Sequence, residues 1–94
     1  PHGVVHGAVI YAMADTGMGA ALYSVLDAGH ACATIDISIS YFRPVVDGQL
    51  LCQTVVENKG RTVAHLTARI TQNDKLVAQA SGNFAIISAP LERR

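Results

Sequence analysis

The sequence predicts an α+β domain in which one long helix is followed by four antiparallel strands that curve around it. Three observations carry that expectation. A long apolar run near the start holds a single charge, Asp15. Everything after it alternates apolar and polar residues with the period of a strand. Turn signals rich in Gly, Asn and Asp separate the alternating segments.

The helix is expected over residues 7–26, rich in Ala, Met and Leu and apolar on nearly every face. Such a helix should be surrounded by protein. Asp27-Ala28-Gly29-His30 should end it, with Gly29 placed for a left-handed cap. In the first strand, residues 34–41, Ile35, Ile37, Ile39 and Tyr41 alternate with Thr34, Asp36, Ser38 and Ser40. It lacks the proline or inward charge that protects an exposed edge, so it should lie at a sheet edge and pair with a second copy. Phe42-Arg43-Pro44 stops it, and Asp47-Gly48 marks a turn. A second strand follows over residues 49–57, with a hairpin turn at Asn58-Lys59-Gly60. The third, residues 62–71, sets Ala64, Leu66, Ala68 and Ile70 against His65, Thr67 and Arg69. Asn73-Asp74 turns the chain into a fourth strand, residues 76–87. There Leu76, Ala78, Ala80, Gly82, Phe84 and Ile86 share a face, and its small members imply close approach of the helix. Residues 91–94 read as a frayed tail.

Composition narrows the class. The 94 residues make one domain, residues 1–94, with half of them apolar and 15% charged. That is greasy for a small monomer, which points to burial against a copy of itself. Seven basic and seven acidic side chains cancel, so no broad basic face awaits nucleic acid;. Cys32 and Cys52 fit no disulfide framework and read as buried thiols of a cytoplasmic protein. The apolar run is long enough to span a bilayer, yet Asp15 at its centre would cost about 2.5–3.5 kcal/mol there. A buried helix of a non-membrane protein is expected, with no basic leader before it.

Asp15 is the candidate base or nucleophile, a carboxylate whose reactivity is tuned by apolar surroundings. Gly3 and Gly7 allow backbone to approach a ligand closely. With Gly7 at the expected helix start, its N–H is an unpaired donor at the positive end of the helix dipole. A donor so placed can stabilise a carbonyl oxygen as charge develops on it. His2 and His6 are four apart but have no third ligand at motif spacing, so no metal site is expected.

His6-Gly7-Ala8, with Asp15 nine residues after His6, resembles the H-G-G-x(6)-D signature of hotdog-fold acyl-CoA thioesterases. The similarity is to the phenylacetate-degradation (PaaI-like) subclass, related to the 4-hydroxybenzoyl-CoA thioesterases. The segment TIDISISYFRP, residues 34–44, is similar to the family's first strand after the helix, with Gly48 following. Ala8 stands where the signature has its second glycine. The resemblance implies a hotdog fold and dimers or dimer-of-dimers tetramers that bind acyl-CoA between subunits. It also implies a strand before the helix and an asparagine six residues before His6, both of which would precede Pro1.

The activity implied is hydrolysis of a small or aromatic acyl-CoA, with CoA as part of the substrate and no separate cofactor. Gly7 would polarise the thioester carbonyl, His6 would shape that corner, and Asp15 would attack or activate water. Thr34 stands near a family serine. Lys59, Gly60 and Arg61, with Arg43, are candidates to meet the CoA phosphates. Two other readings compete. One is a dehydratase or hydratase of the same fold, which would release no thiol; the other is an acyl-CoA-binding protein without turnover. One inference needs no family: Gly7 and Asp15 lie about 12 Å apart along a helix, too far for one carbonyl to meet both. If both act on one thioester, they come from different subunits.

Overall fold

A computed structural model describes residues 2–45 and 48–88, the side chains of residues 2–6 excepted. The expected turn residue Asp47 and the expected tail, residues 91–94, lie outside the described residues. Helix α1 (His2–Tyr23) leads into β1 (His30–Tyr41), β2 (Leu51–Lys59), β3 (Val63–Gln72) and β4 (Lys75–Ser88). The strands form one antiparallel sheet in the order β1-β4-β3-β2, with α1 in contact with all four. This is the α+β architecture expected from the sequence, and it puts β1 at a sheet edge as expected.

The core lies between one helix face and the sheet. Ile10, Ala14, Met18 and Leu22, spaced four apart on α1, are buried against Ala64, Leu66, Ala68 and Ile70 of β3. Ala78, Ala80 and Phe84 of β4 complete it. The strand faces read from the alternation are the inner faces from Ala64 to Ile70 and from Ala78 to Phe84, but the register shifts at Val77, which enters the core where Leu76 was expected;. Helix and sheet approach closely at Gly17. A Cβ there would stand 3.2 Å from both Cys52 Sγ and Thr54 Cγ2. Gly82, expected to make room for the helix, makes room for the Phe84 ring of its own strand, 3.0 Å from a Cβ built there, and for β1. A Cβ there would meet Ile37 at 3.2 Å and the Asp36 carbonyl at 3.3 Å.

Several boundaries differ from expectation. The helix starts at His2, because nothing in the sequence before Gly7 breaks it, and closes at Tyr23. Its last turn tightens, with Val25 N–H bonded to the Leu22 carbonyl and Leu26 N–H to that of Tyr23;. Gly29 is left-handed (φ 83°) but does not cap the helix. It sits in the turn that His30 N–H closes onto the Asp27 carbonyl, leading into a longer β1;. Lys59 belongs to β2, which carries a bulge after Val56, so the β2–β3 turn moves on to Gly60. The Gly60 N–H closes it onto the Val63 carbonyl at 2.9 Å. Asn73 and Asp74 form the β3–β4 turn as expected, both left-handed (φ 53° and 65°).

The helix is not enclosed all round. Val9, Tyr11 and Tyr23 are 50, 40 and 52% exposed on its other side. The sheet's outer face is polar at its middle. His65 Nδ1–H donates to Asn83 Oδ1 (2.8 Å), and Asn83 Nδ2–H donates to Asp36 Oδ1 (2.9 Å), linking three strands.

Candidate active site

One irregularity in β1 decides which side chains meet the helix. Thr34 and Tyr41 are seven residues apart, so an unbroken strand would point them to opposite faces. The β1–β4 register shifts between Thr34 and Asp36, and Ile35 is the extra, unpaired residue;. Before this bulge Cys32 and Thr34 face the helix; after it Ile37, Ile39 and Tyr41 do. Ile35, expected on the face of Ile37 and Ile39, is 54% exposed.

The bulge lets one strand touch both helix positions singled out by sequence. Thr34 Oγ1–H donates to Asp15 Oδ1 at 3.1 Å, and Tyr41 O–H donates to the Gly7 carbonyl at 2.9 Å. Asp15 lies on the flank of α1 that faces β1, partly buried, with the small residues Ala12 and Gly19 one turn away on either side and Ala8 two turns before it;. The Asp15 Oδ2 atom has no partner among the described residues. A carboxylate held by one oxygen and free at the other, beside small neighbours, can take a proton from water or attack an electrophile.

Gly7 lies in the second turn of α1 rather than at its start. Its N–H there points along the axis to the preceding turn of the helix, not outward. The free donor expected from the sequence is therefore committed in this conformation. The His6 side chain lies outside the described ones. Gly7 and Asp15 remain about 12 Å apart along the axis, as derived from their spacing.

Two features were not read from the sequence. Tyr41 is one, since a tyrosine in an amphipathic strand carries no sign that its hydroxyl is used. Cys32 is the other: it neighbours Asp15, and burial first, then the Asp15 charge, pushes its thiol above the usual range. A thiol so shifted stays protonated and does not compete with Asp15 as nucleophile. Cys52 is likewise pushed up by burial, and neither cysteine is in a disulfide.

The basic candidates split into two groups. Lys59, Gly60 and Arg61 line a cleft of about 100 Å³ with Leu26, Asp27, His30 and Ile86, near the end of α1. Arg43 lies at the other end of the sheet, beside the β3–β4 turn. The ten residues of β3 separate the two groups by about 30 Å;. In one chain they cannot hold the same phosphate.

The chain belongs to the thioesterase superfamily, which it matches over residues 2–79. Its fold is similar to that of thioesterase HI1161 from Haemophilus influenzae, with a TM-score of 0.87 and 26% identity over 95% of this chain and 63% of that one. A phenylacetic acid degradation-related protein from Ralstonia eutropha is 29% identical, with a TM-score of 0.81 over 84% of this chain and 60% of that one. The BH2602 protein from Bacillus halodurans, crystallised with CoA, shares the fold at a TM-score of 0.84 and 22% identity. That match covers 87% of this chain and 55% of the Bacillus protein. The chain thus spans between 55 and 63% of these relatives' lengths. Its helix and curved four-stranded sheet are those of the hotdog fold. No helix among the described residues is long and apolar enough to cross a membrane.

Proposed function

We propose that this chain is an acyl-CoA thioesterase that hydrolyses a small or aromatic acyl thioester, and that Asp15 carries the reaction. The observation behind this reading is the Asp15 carboxylate itself. In a chain of the thioesterase superfamily, it is the single charge in an apolar helix segment, held by Thr34 at one oxygen and open at the other. A fold neighbour that holds CoA supports CoA as the thiol half.

In the general-base form, Asp15 Oδ2 takes a proton from water and the hydroxide attacks the thioester carbonyl. The C–S bond then breaks, and the CoA thiolate leaves and collects the proton. In the nucleophilic form, Oδ2 attacks first, CoA leaves, and water cleaves the resulting anhydride. Both need Asp15 ionised and no added cofactor. Thr34 limits the carboxylate to one working orientation.

The developing oxyanion needs a donor that Asp15's own helix does not bring near. In this reading a second copy supplies it from the His6–Gly7 turn, with the positive end of the helix behind it. Freeing the Gly7 N–H requires the turn before it to open. The bare edge of β1 and the exposed apolar side of α1 are the surfaces that such a dimer, or a pair of dimers, would cover;. Arg43, Lys59, Gly60 and Arg61 are then candidates for the CoA phosphates. A cytoplasmic location fits free cysteines and an acyl-CoA substrate.

The test is release of free thiol from a panel of aryl- and alkyl-CoA thioesters. Turnover that disappears in Asp15→Asn supports the reading. Tight binding of acyl-CoA without thiol release, in a folded dimer, rejects hydrolysis.

A further inference from the structure

At the far end of the sheet from Lys59 and Arg61, Arg43 shares a cleft with a second cation, Lys75, that the proposed function leaves without a role. Arg43, from the exit of β1, and Lys75, the first residue of β4, line a cleft of about 250 Å³ together with Pro44, Gln72, Asn73 and Val77. Backbone bonds hold the two elements together. The Phe42 and Arg43 N–H groups both donate to the Val77 carbonyl, at 2.7 and 3.4 Å. On the other side, the left-handed pair Asn73 and Asp74 reverses the chain tightly and delivers Lys75 to the rim. Arg43 and Lys75 therefore face one cleft because of main-chain geometry.

We propose that this cleft is an anion subsite that takes a phosphate ester or diphosphate. Among the described residues its lining pairs two cations with two side-chain amides and holds no carboxylate. Asp74, in the same turn, is exposed and does not line it. Neither Arg43 nor Lys75 has an ion-pair partner among the described residues. A guanidinium fork with an ammonium beside it suits tetrahedral oxyanions, the first through paired N–H bonds and the second as a point charge. Gln72, 6% exposed, lies at the base and Pro44 and Val77 give apolar walls. The volume is below the roughly 300–1,000 Å³ of pockets that enclose a whole drug-sized ligand. It therefore suits a phosphate headgroup with the rest of the molecule outside.

The opposite cleft is a poorer anion site. It is smaller, and the Asp27 carboxylate stands among its basic residues Lys59, Arg61 and His30.

The phosphate could come from CoA, which rests on the thioesterase reading, or from a separate anion, which does not. Titration of the whole chain with inorganic pyrophosphate, followed by amide NMR, separates site from function because no turnover is needed. Shifts should gather at Arg43, Asn73, Lys75 and Val77. The double variant Arg43→Gln/Lys75→Gln should weaken binding at least about tenfold, the loss expected for removed charge-assisted bonds. Asp74→Asn, at an exposed residue outside the lining, should leave it unchanged. If the double variant also raises KM for an acyl-CoA but not for the matching acyl-pantetheine, which lacks the phosphates, CoA is the source. Weakened pyrophosphate binding with no change in either KM assigns the cleft to a separate anion. No shift at these amides up to about 10 mM pyrophosphate, or equal binding by the double variant, overturns the site.

Discussion

The two sides of α1 are similar in composition and opposite in fate. On one, Ile10, Ala14, Met18 and Leu22 are at most 2% exposed. Around the rest of its circumference Val9, Tyr11 and Tyr23 are about half exposed, and Asp15 stands on the flank facing β1 in a row with Ala8, Ala12 and Gly19. Hydrophobicity therefore does not distinguish core from site in this helix; residue size and spacing do. The inner side repeats every four residues and fills the sheet. The outer side pairs a carboxylate with small neighbours, leaving space for a reactant or another helix.

The largest effect expected from that contrast is on stability. Met18→Ala removes a fully buried side chain from the inner side and should cost about 2–5 kcal/mol. Ala12→Ser, on the outer side, should stay within about 0.5 kcal/mol. Urea unfolding of both at equal chain concentration checks this. Equal losses would remove the distinction between the two sides.

Next is catalysis. Asp15→Asn keeps the side chain's shape and should lower kcat at least about a hundredfold, the low end for a positioned base. The fold should survive, since the residue is not part of the core. A second readout comes from Cys32, whose thiol the Asp15 charge pushes up. With that charge gone the thiol shifts down and more thiolate exists at a given pH. Alkylation of Cys32 near pH 8 should accelerate, while that of Cys52, raised by burial alone, should not;. Unchanged turnover would sink the assignment of Asp15, and unchanged Cys32 alkylation would contradict its placement.

A smaller effect is expected at Thr34. Thr34→Val removes one hydrogen bond to the carboxylate, worth about 1 kcal/mol or roughly fivefold in kcat. Thr34→Ser should restore it. If serine fails to rescue, the methyl group rather than the hydroxyl matters there.

What the sequence made legible follows from the strength of each local signal. Regular alternation along β3 and from Ala78 onward in β4 leaves their inner faces no other choice, and a lone charge in an apolar helix is conspicuous. A bulge has no such mark. By strict alternation Thr34 falls with Asp36, Ser38 and Ser40 on the polar face, so only family resemblance marked it as a site residue and its bond to Asp15 was not read. The helix start was misread because Gly7 is as permissive inside a helix as at its end. Lys75 went unread because a lysine after a turn is usually just solvated, and only the fold brings Arg43 beside it.

The smallest effect tests whether the two holds of β1 on the helix differ in kind. Tyr41 lies beyond the bulge from Thr34, and its hydroxyl meets a backbone carbonyl that is also part of the helix ladder;. Tyr41 is 48% exposed, so water can replace much of the bond when it is lost. Tyr41→Phe keeps the ring over Gly7 and should cost about 0.5–1 kcal/mol. For a domain of this size, that lowers Tm by roughly 2–8 °C. The hydroxyl touches neither Asp15 nor its free oxygen, so kcat should stay within about twofold, a change of under half a kcal/mol. Thr34→Val should show the reverse pattern, with more loss in kcat than in Tm. A Tyr41→Phe protein with unchanged Tm but kcat down about tenfold would break that division. It would mean that the Tyr41 hydroxyl sets the conformation of the Gly7 turn for catalysis, rather than merely fastening the helix to the sheet.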